Sequence, residues 1–233
     1  MQQQAELRQS PPPDSTVAFF DLDRTLLDCN SALEYAKYEQ RQGRVTRLQV
    51  LQTIFWGAMY HFSLLDIDSA YRKALDFYVG TPSQLLDERT HEWFHKELFH
   101  RLRPGAKRAL KHHREAGHTL VLITNSSCYL AKAVTEAWEL DHWMANIFDV
   151  GPNGLLTGAF EPPLCYGEGK VERAAKWLQG TGLSLDDCYF YSDSLSDLPM
   201  LEKVGKPVVV NPDPRLRRLA RKRAWPIEDW GNY

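Results

Sequence analysis

Four consecutive apolar residues, Val17-Ala18-Phe19-Phe20, run directly into the polar segment Asp21-Leu22-Asp23-Arg24-Thr25. An unbroken apolar run with two phenylalanines and a valine predicts a strand buried on both faces. After Leu27 the period changes. From about 30 to 102 no strand pattern occurs, and apolar residues recur at helical spacing: Leu33 and Ala36; Leu48, Leu51, Ile54, Phe55 and Ala58; Ala70, Ala74, Phe77 and Tyr78; Leu85, Leu86, Trp93 and Phe94. Gly43, Ser63 and Gly80-Thr81-Pro82 punctuate these stretches. The region reads as a bundle of about four helices. Beyond Pro104, helical and strand patterns alternate. Helices are expected over 104–115, from a cap at Ser126 or Ser127 to 138, and over 170–179, 198–203 and 214–222. Strands are expected over 119–124, 188–191 and 207–210, with a hairpin of 146–150 and 155–160 around Gly151-Pro152-Asn153-Gly154.

This order predicts an α/β fold: a Rossmann-like parallel sheet with helices on both faces and an inserted all-helical cap. The expected division is a disordered lead over 1–16, a catalytic core of 17–29 and 101–233, and a helical cap of 30–100. Right-handed crossovers gather the carboxyl ends of the strands on one edge, where ligands bind.

Composition changes this picture little. The chain has 233 residues, 43% hydrophobic and 25% charged, with a net charge of −2, so no global pull toward nucleic acid or membrane is expected. Cys29, Cys128, Cys165 and Cys188 are scattered without a CxxC pair and read as reduced thiols of a cytoplasmic protein. No run is apolar enough to span a bilayer. The nearest, 48–65, is interrupted by Gln49, Gln52, His61 and Ser63, and its aromatics suit bundle core or a surface-lying helix.

The polar residues expected at the strand ends are Asp21 and Asp23, Thr124 and Asn125, and Asp193 with Asp197. In an extended segment Asp21 and Asp23 point to the same side. Taken alone they also allow the lesser reading of a strand-to-helix turn in which Asp23 or Thr25 caps the next helix. Taken with the other carboxylates, they suit a hard cation. Mg²⁺ binds through few carboxylates, keeps waters and favours phosphate as co-ligand, and no His or Cys accompanies the cluster to favour zinc or iron. Lys170, following Gly167-Glu168-Gly169 at a helix start, adds positive charge for an anionic substrate. Phosphoryl transfer fits this set. Asp21 is the expected nucleophile, forming an aspartyl-phosphate, and Asp23 the acid/base. Thr124 is expected to donate to a phosphoryl oxygen, with Asn125 beside it. Asp193 is expected to ligate the metal, and Asp197 to serve at the metal's edge or orient Lys170.

These residues resemble the four motifs of the haloacid dehalogenase-like phosphatases: Asp21-Leu22-Asp23-Arg24-Thr25, Thr124, Lys170 and Asp193-Ser194-Leu195-Ser196-Asp197. The helical insertion after the first motif is similar to the cap of the phosphoserine-phosphatase-like branch. The resemblance implies a Mg²⁺-dependent phosphatase of a small phosphate ester, with Asp21 as nucleophile, Asp23 as acid/base, and the Asp23 backbone carbonyl also offered to the metal. Two positions depart from phosphoserine phosphatases. Asn30 stands where they carry a glutamate that meets the substrate ammonium, and Thr124-Asn125-Ser126-Ser127 replaces a serine followed by glycines. Asn30 thus remains a candidate substrate contact of changed charge. Rival readings are a phosphotransferase to an acceptor alcohol, a lipid-phosphate phosphatase served by the aromatic cap helix, and a silent binding protein on the same fold.

Two further patterns have ordinary explanations. His91-Glu92-Trp93-Phe94-His95 matches HExxH, but Trp93 and Phe94 are expected to pack inward and leave the histidines solvated. The arginines of 215–223 alternate with Leu216, Leu219 and Ala220 and read as the solvated face of a core helix. Arg72 and Lys73 are expected on a solvated helix face, with closure over an anionic substrate as the alternative.

Overall fold

A computed structural model of the protein describes residues 11, 16–46, 48 and 67–232. The aromatic segment expected to form a cap helix, and the lead apart from Pro11 and Thr16, lie outside these residues. The strands are β1 (Val17–Phe20), β2 (Thr119–Ser127), β3 (His142–Asn146), β4 (Phe148–Val150), β5 (Leu156–Phe160), β6 (Tyr189–Ser192), β7 (Lys206–Val210) and β8 (Ile227–Glu228). The helices are α1 (Ser31–Arg41), α2 (Ile67–Leu75), α3 (Ser83–Trp93), α4 (Pro104–Glu115), α5 (Cys128–Trp138), α6 (Glu168–Leu178), α7 (Leu198–Lys203) and α8 (Pro214–Lys222).

Among the described residues, six strands pair in parallel in the order β3-β2-β1-β6-β7-β8. The order reverses at β1, so the crevice between the ends of β1 and β6 is the switch point at which such sheets bind ligands. The apolar run of β1 serves both faces. Ala18 and Phe20 join one core cluster with Leu120, Leu122 and Val210, while Val17 and Phe19 join the other with Val121, Ile123 and Val209. Both phenylalanines are fully buried, each stabilising the fold by roughly 2–3 kcal/mol. The predicted parallel sheet with helices on both faces is therefore observed.

The edge strands differ from the sequence reading. The expected strand 146–150 divides: Asn146 closes β3, which pairs with β2, and 148–150 alone forms the antiparallel partner of β5. His142-Trp143-Met144-Ala145-Asn146 has neither a β-branched residue nor alternation to mark it, and its pairing with β2 makes it a strand. The short β8 was likewise invisible, and it pairs only through Val209–Ile227 and Val210–Glu228.

Between β1 and β2 the described residues are helical, as expected. Entry and exit of this insertion run side by side. Leu27 bridges Leu102, Arg103 N–H donates to Leu26 O at 2.9 Å, and Arg101 pairs with Asp28 at 2.7 Å. The insertion also rests on the β4–β5 hairpin, where Gly80 N–H donates to Leu156 O and Leu156 N–H to Thr81 O. Gly80 has φ +78°, the left-handed conformation that ends one helical stretch before Pro82 starts the next.

The patterns with ordinary explanations fall as expected. Trp93 and Phe94 are buried, and His91 and His95 are exposed with their Nε2 atoms 3.2 Å apart. Leu216 and Ala220 are buried under α8, and the arginines 215, 217, 218 and 221 are exposed. Arg72 and Lys73 are exposed on α2, with the Arg72 guanidinium 4.8 Å from the Phe160 ring centroid.

Candidate active site

Asp21 is the first residue beyond β1, anchored by its N–H to Tyr191 O at 3.0 Å. The chain then makes a wide turn in which Leu27 N–H reaches Leu22 O at 2.9 Å. Arg24 takes φ +58°, while Asp21 and Asp23 keep extended backbone. The turn sends the two carboxylates to different partners. Asp21 Oδ1 accepts from Lys170 Nζ at 2.7 Å. Asp23 Oδ1 accepts from Ser31 N–H at 2.8 Å, and its Oδ2 lies 3.5 Å from Asn30 Nδ2.

Lys170 is delivered by the start of α6. Gly167 has φ +50°, and a Cβ on Gly169 would sit 1.9 Å from Leu164 O, so the glycines of this loop are required for the close turn that aims the lysine inward. Lys170 is 2% exposed and bonds Asp197 Oδ2 at 2.9 Å as well as Asp21. Its ammonium lies 5.5 Å from the Phe190 ring centroid. Asp197 Oδ2 also accepts from Ser192 Oγ at 2.7 Å, which fixes the carboxylate that holds the lysine. Asp193 follows β6. Its N–H donates to Thr25 Oγ1 at 3.0 Å, tying the first motif to the last.

The electrostatics follow from four buried or half-buried carboxylates around one buried lysine. Burial raises the Asp21 carboxyl well above its ordinary range. Lys170 pulls it down, while Asp197 and Asp193 push it up again. Burial also raises Asp23, against the hydrogen bonds from Ser31. Asp193 is pushed up to about 7 by burial and then by the charge of Asp197. Burial opposes the charge of Lys170, but Asp197 and Asp21 outweigh it and its pKa rises. The site has a surplus of negative charge that a cation would relieve. Among the described residues no three His, Cys, Asp or Glu side chains form an enclosing metal cage. The donors named here are carboxylate oxygens, and one or two carboxylates completed by waters and phosphate is a mode that suits Mg²⁺ better than zinc.

The remaining expected residues lie nearby with defined partners. Thr124 is buried in β2, and its Oγ1 accepts from Ser126 N–H at 3.1 Å. Asn125 offers its carbonyl and Oδ1 to Asn146 Nδ2 at 2.7 and 2.9 Å. Asn30 caps α1: its Oδ1 accepts from Leu33 N–H at 3.0 Å, and its Nδ2 faces Asp23. Its amide is engaged at both ends by the protein. Sequence reasoning missed Asn146, Ser192 and Ser31 as members of the site. It placed Thr25 as a possible cap and as the last residue of the first motif. Asn146 carries the signal that marked Thr124, a polar residue closing a strand, but β3 itself was not legible.

The chain belongs to the haloacid dehalogenase-like hydrolases, a family that matches residues 18–202. Several of its relatives are named as phosphatases, and this chain is an enzyme of that kind. It is 32% identical over 229 residues to phosphoserine phosphatase SerB1 of Mycobacterium tuberculosis, across 95% of this chain and 73% of that one. It is 28% identical over 215 residues to a histidinol-phosphatase of Neisseria meningitidis, across 91% and 97%. A third relative, the inhibition of morphological differentiation protein of Streptomyces azureus, is 33% identical over 222 residues, across 92% and 78%. Among solved structures, a protein of unknown function from Bordetella pertussis superposes with a TM-score of 0.84 at 30% identity, covering 93% of this chain and 99% of that one. The phospho-aspartyl intermediate analogue of phosphoserine phosphatase superposes with a TM-score of 0.66 at 20% identity, covering 94% of each chain, and shares the fold.

Proposed function

We propose that the protein is a Mg²⁺-dependent phosphomonoesterase that works through an aspartyl-phosphate on Asp21. The observation that carries this reading is the bond from Lys170 to Asp21 at 2.7 Å, with Asp197 holding the same ammonium from its other side at 2.9 Å. A carboxylate oriented by a buried cation at the mouth of the sheet is placed to attack phosphorus, and the cation then faces the phosphoryl oxygens. Asp23, raised by burial and held by Ser31, is suited to carry the proton that the leaving alkoxide takes. In the second half it would receive a proton from the water that opens the aspartyl-phosphate. Thr124 and Asn125 would line the phosphate from the end of β2. Asp21, Asp193 and the Asp23 backbone would hold Mg²⁺, with Asp197 at its edge. The ion, when bound, supplies charge neutralisation at the phosphoryl oxygens.

Residues 30–100 are proposed as the cap that excludes water and chooses the leaving group. Asn30, engaged by Leu33 N–H and Asp23, offers no counter-charge to a substrate ammonium. The names of the relatives nevertheless make phosphoserine and histidinol phosphate the first substrates to try, alongside sugar, nucleotide and lipid phosphates. Four buried free cysteines suit the cytoplasm. No described helix is long and apolar enough to cross a membrane.

The test is phosphate release from that panel. Asp21→Asn should fold and show no turnover, and a chelator should silence the wild type until Mg²⁺ is restored. Wild-type activity that survives thorough metal removal refutes the mechanism.

A further inference from the structure

Arg103 lies outside the four motifs, yet it is buried and bonded to the backbone of the first of them. Its own N–H holds Leu26 O at 2.9 Å. Its Nε divides between two more carbonyls of the same turn, Arg24 O and Leu27 O, each at 3.2 Å. Its Nη1 donates to Gly231 O and, at 2.5 Å, to Asn232 Oδ1, across 128 and 129 positions of sequence. These four side-chain acceptors are neutral oxygens, and Asp28, Asp193 and Asp229 act on the charge through space. A rigid fork of N–H donors can hold separate carbonyls at once, whereas a lysine ammonium is a single point of charge.

The turn needs such a partner. Arg24 takes φ +58°, a conformation that a non-glycine residue keeps only where its surroundings impose it. Its N–H is fixed by Cys29 O at 2.9 Å and its carbonyl by Arg103. Arg24 shares one peptide with Asp23 and the next with Thr25, whose Oγ1 accepts from Asp193 N–H. Rotation of Arg24 out of the left-handed region therefore swings the Asp23 carbonyl and carboxylate together.

The far end of the guanidinium's reach is anchored as well. Trp230 is buried, with its N–H on Asn211 Oδ1 at 2.9 Å and its Nε1 on Glu228 Oε2 at 2.6 Å. Its carbonyl accepts from Gly105 N–H at 2.9 Å, and a Cβ on Gly105 would sit 2.3 Å from Trp230 Cγ. The indole lies 5.3 Å from the ring of Tyr191, whose carbonyl receives the Asp21 N–H.

We propose that Arg103 is a positioning residue for the two carboxylates of the first motif, clamping their turn to the segment 230–232. Its functional meaning rests on the phosphatase reading above. Arg103 acts through the backbone of Arg24 and Leu27, not on the reacting atoms. With the clamp broken, Arg24 relaxes and Asp23 loses its aim, while Lys170 keeps its hold on Asp21.

The test uses the full chain, with p-nitrophenyl phosphate as the kinetic probe and amide hydrogen exchange as the structural one. Arg103→Lys keeps the charge and gives up the fork. Its kcat per folded molecule should fall by about 10- to 100-fold, the range for a misplacement of about 1 Å. KM should stay within about threefold, because the loss falls on the transition state. Exchange should quicken at the Arg24 and Leu27 amides, which bond within the turn, and stay unchanged at Phe19 in β1. A purely structural role would lower stability and leave kcat per folded molecule alone. Asn232→Ala, at an exposed position, removes one acceptor and should move both readouts the same way, with kcat down about threefold, the worth of one modest hydrogen bond. Added to Arg103→Lys it should slow the enzyme no further, because both act through one guanidinium. The clamp is overturned if either readout keeps its wild-type value in Arg103→Lys, or if the two substitutions multiply. Should Arg103→Lys not fold, Asn232→Ala decides by itself, and wild-type kcat and exchange in that variant overturn the clamp. If the wild type hydrolyses no phosphate ester at all, the phosphatase reading fails, and exchange at the two amides then judges the clamp separately.

Discussion

Replacing Lys170 by methionine removes the one buried cation from the site while leaving a side chain of similar length. The loss has two parts. Two charge-assisted hydrogen bonds disappear, at 2.7 Å to Asp21 and 2.9 Å to Asp197, and each such bond contributes about 1.5–3 kcal/mol. Two carboxylates are then left buried without their counter-ion, with Asp193 still close enough to repel both. Removing one partner of a buried pair costs about 3–5 kcal/mol. Proton uptake limits the damage, because the Asp21 carboxyl already sits well above its usual range and neutralises readily once the lysine is gone. The expected loss is therefore about 3–5 kcal/mol, a large fraction of the roughly 5–15 kcal/mol that holds a domain together. Urea unfolding at pH 7 in the presence of chelator measures it, as a lowered midpoint with an unchanged slope. Lys170→Met combined with Asp197→Asn should cost less than the two separately, because the double change removes a charge along with its partner. A Lys170→Met variant within about 1 kcal/mol of wild type, or a double variant with fully additive losses, would refute the reasoning.

Other outcomes are expected from contacts away from Lys170. Gly169→Ala places a methyl where Leu164 O stands 1.9 Å from the ideal Cβ, so the turn into α6 must shift. Stability should fall by about 1–3 kcal/mol by chemical unfolding, and kcat should drop at least tenfold as Lys170 moves; unchanged kcat would show that the loop has room to spare. His113 is fully buried, with Nε2 2.9 Å from the Tyr191 hydroxyl. Burial lowers its pKa from 6.5 to about 4, helped by His118, His112 and Lys206. The unfolded chain thus binds a proton below pH 6.5 that the folded protein refuses until about pH 4. This group's contribution is fully present above pH 6.5 and is lost on acidification, by about 2 kcal/mol at pH 5 and about 3 kcal/mol at pH 4. His113→Gln should flatten that segment of the stability curve, and an unaltered slope between pH 7 and 5 would assign it to other groups.

Sequence alone determined the class of fold and marked Asp21, Lys170, Asp193 and Asp197, which the structure brings together. Apolar runs ending in polar residues are local patterns, and burial on two faces leaves a mark that needs no knowledge of neighbours. Val17–Phe20 running into Asp21, and the strand before Asp193, are of this kind. The Gly-Glu-Gly-Lys segment is local too, since its glycines answer to a turn within a few residues. Tertiary structure decided what partners decide. Nothing between His142 and Asn146 marks a strand until β2 lies beside it. Asn30 reads as a candidate substrate contact until the start of α1 and the carboxylate of Asp23 absorb its amide. Thr25 and Asp193 meet across 168 residues, and Lys170 and Asp21 across 149. A hydrogen bond at that separation exists only because the chain order reverses at β1 and brings the ends of β1 and β6 together. Pattern reports which residues must be buried or bent, whereas pairing reports which of them touch, and the separate partners of Asp21 and Asp23, Lys170 and Ser31, belong to the second.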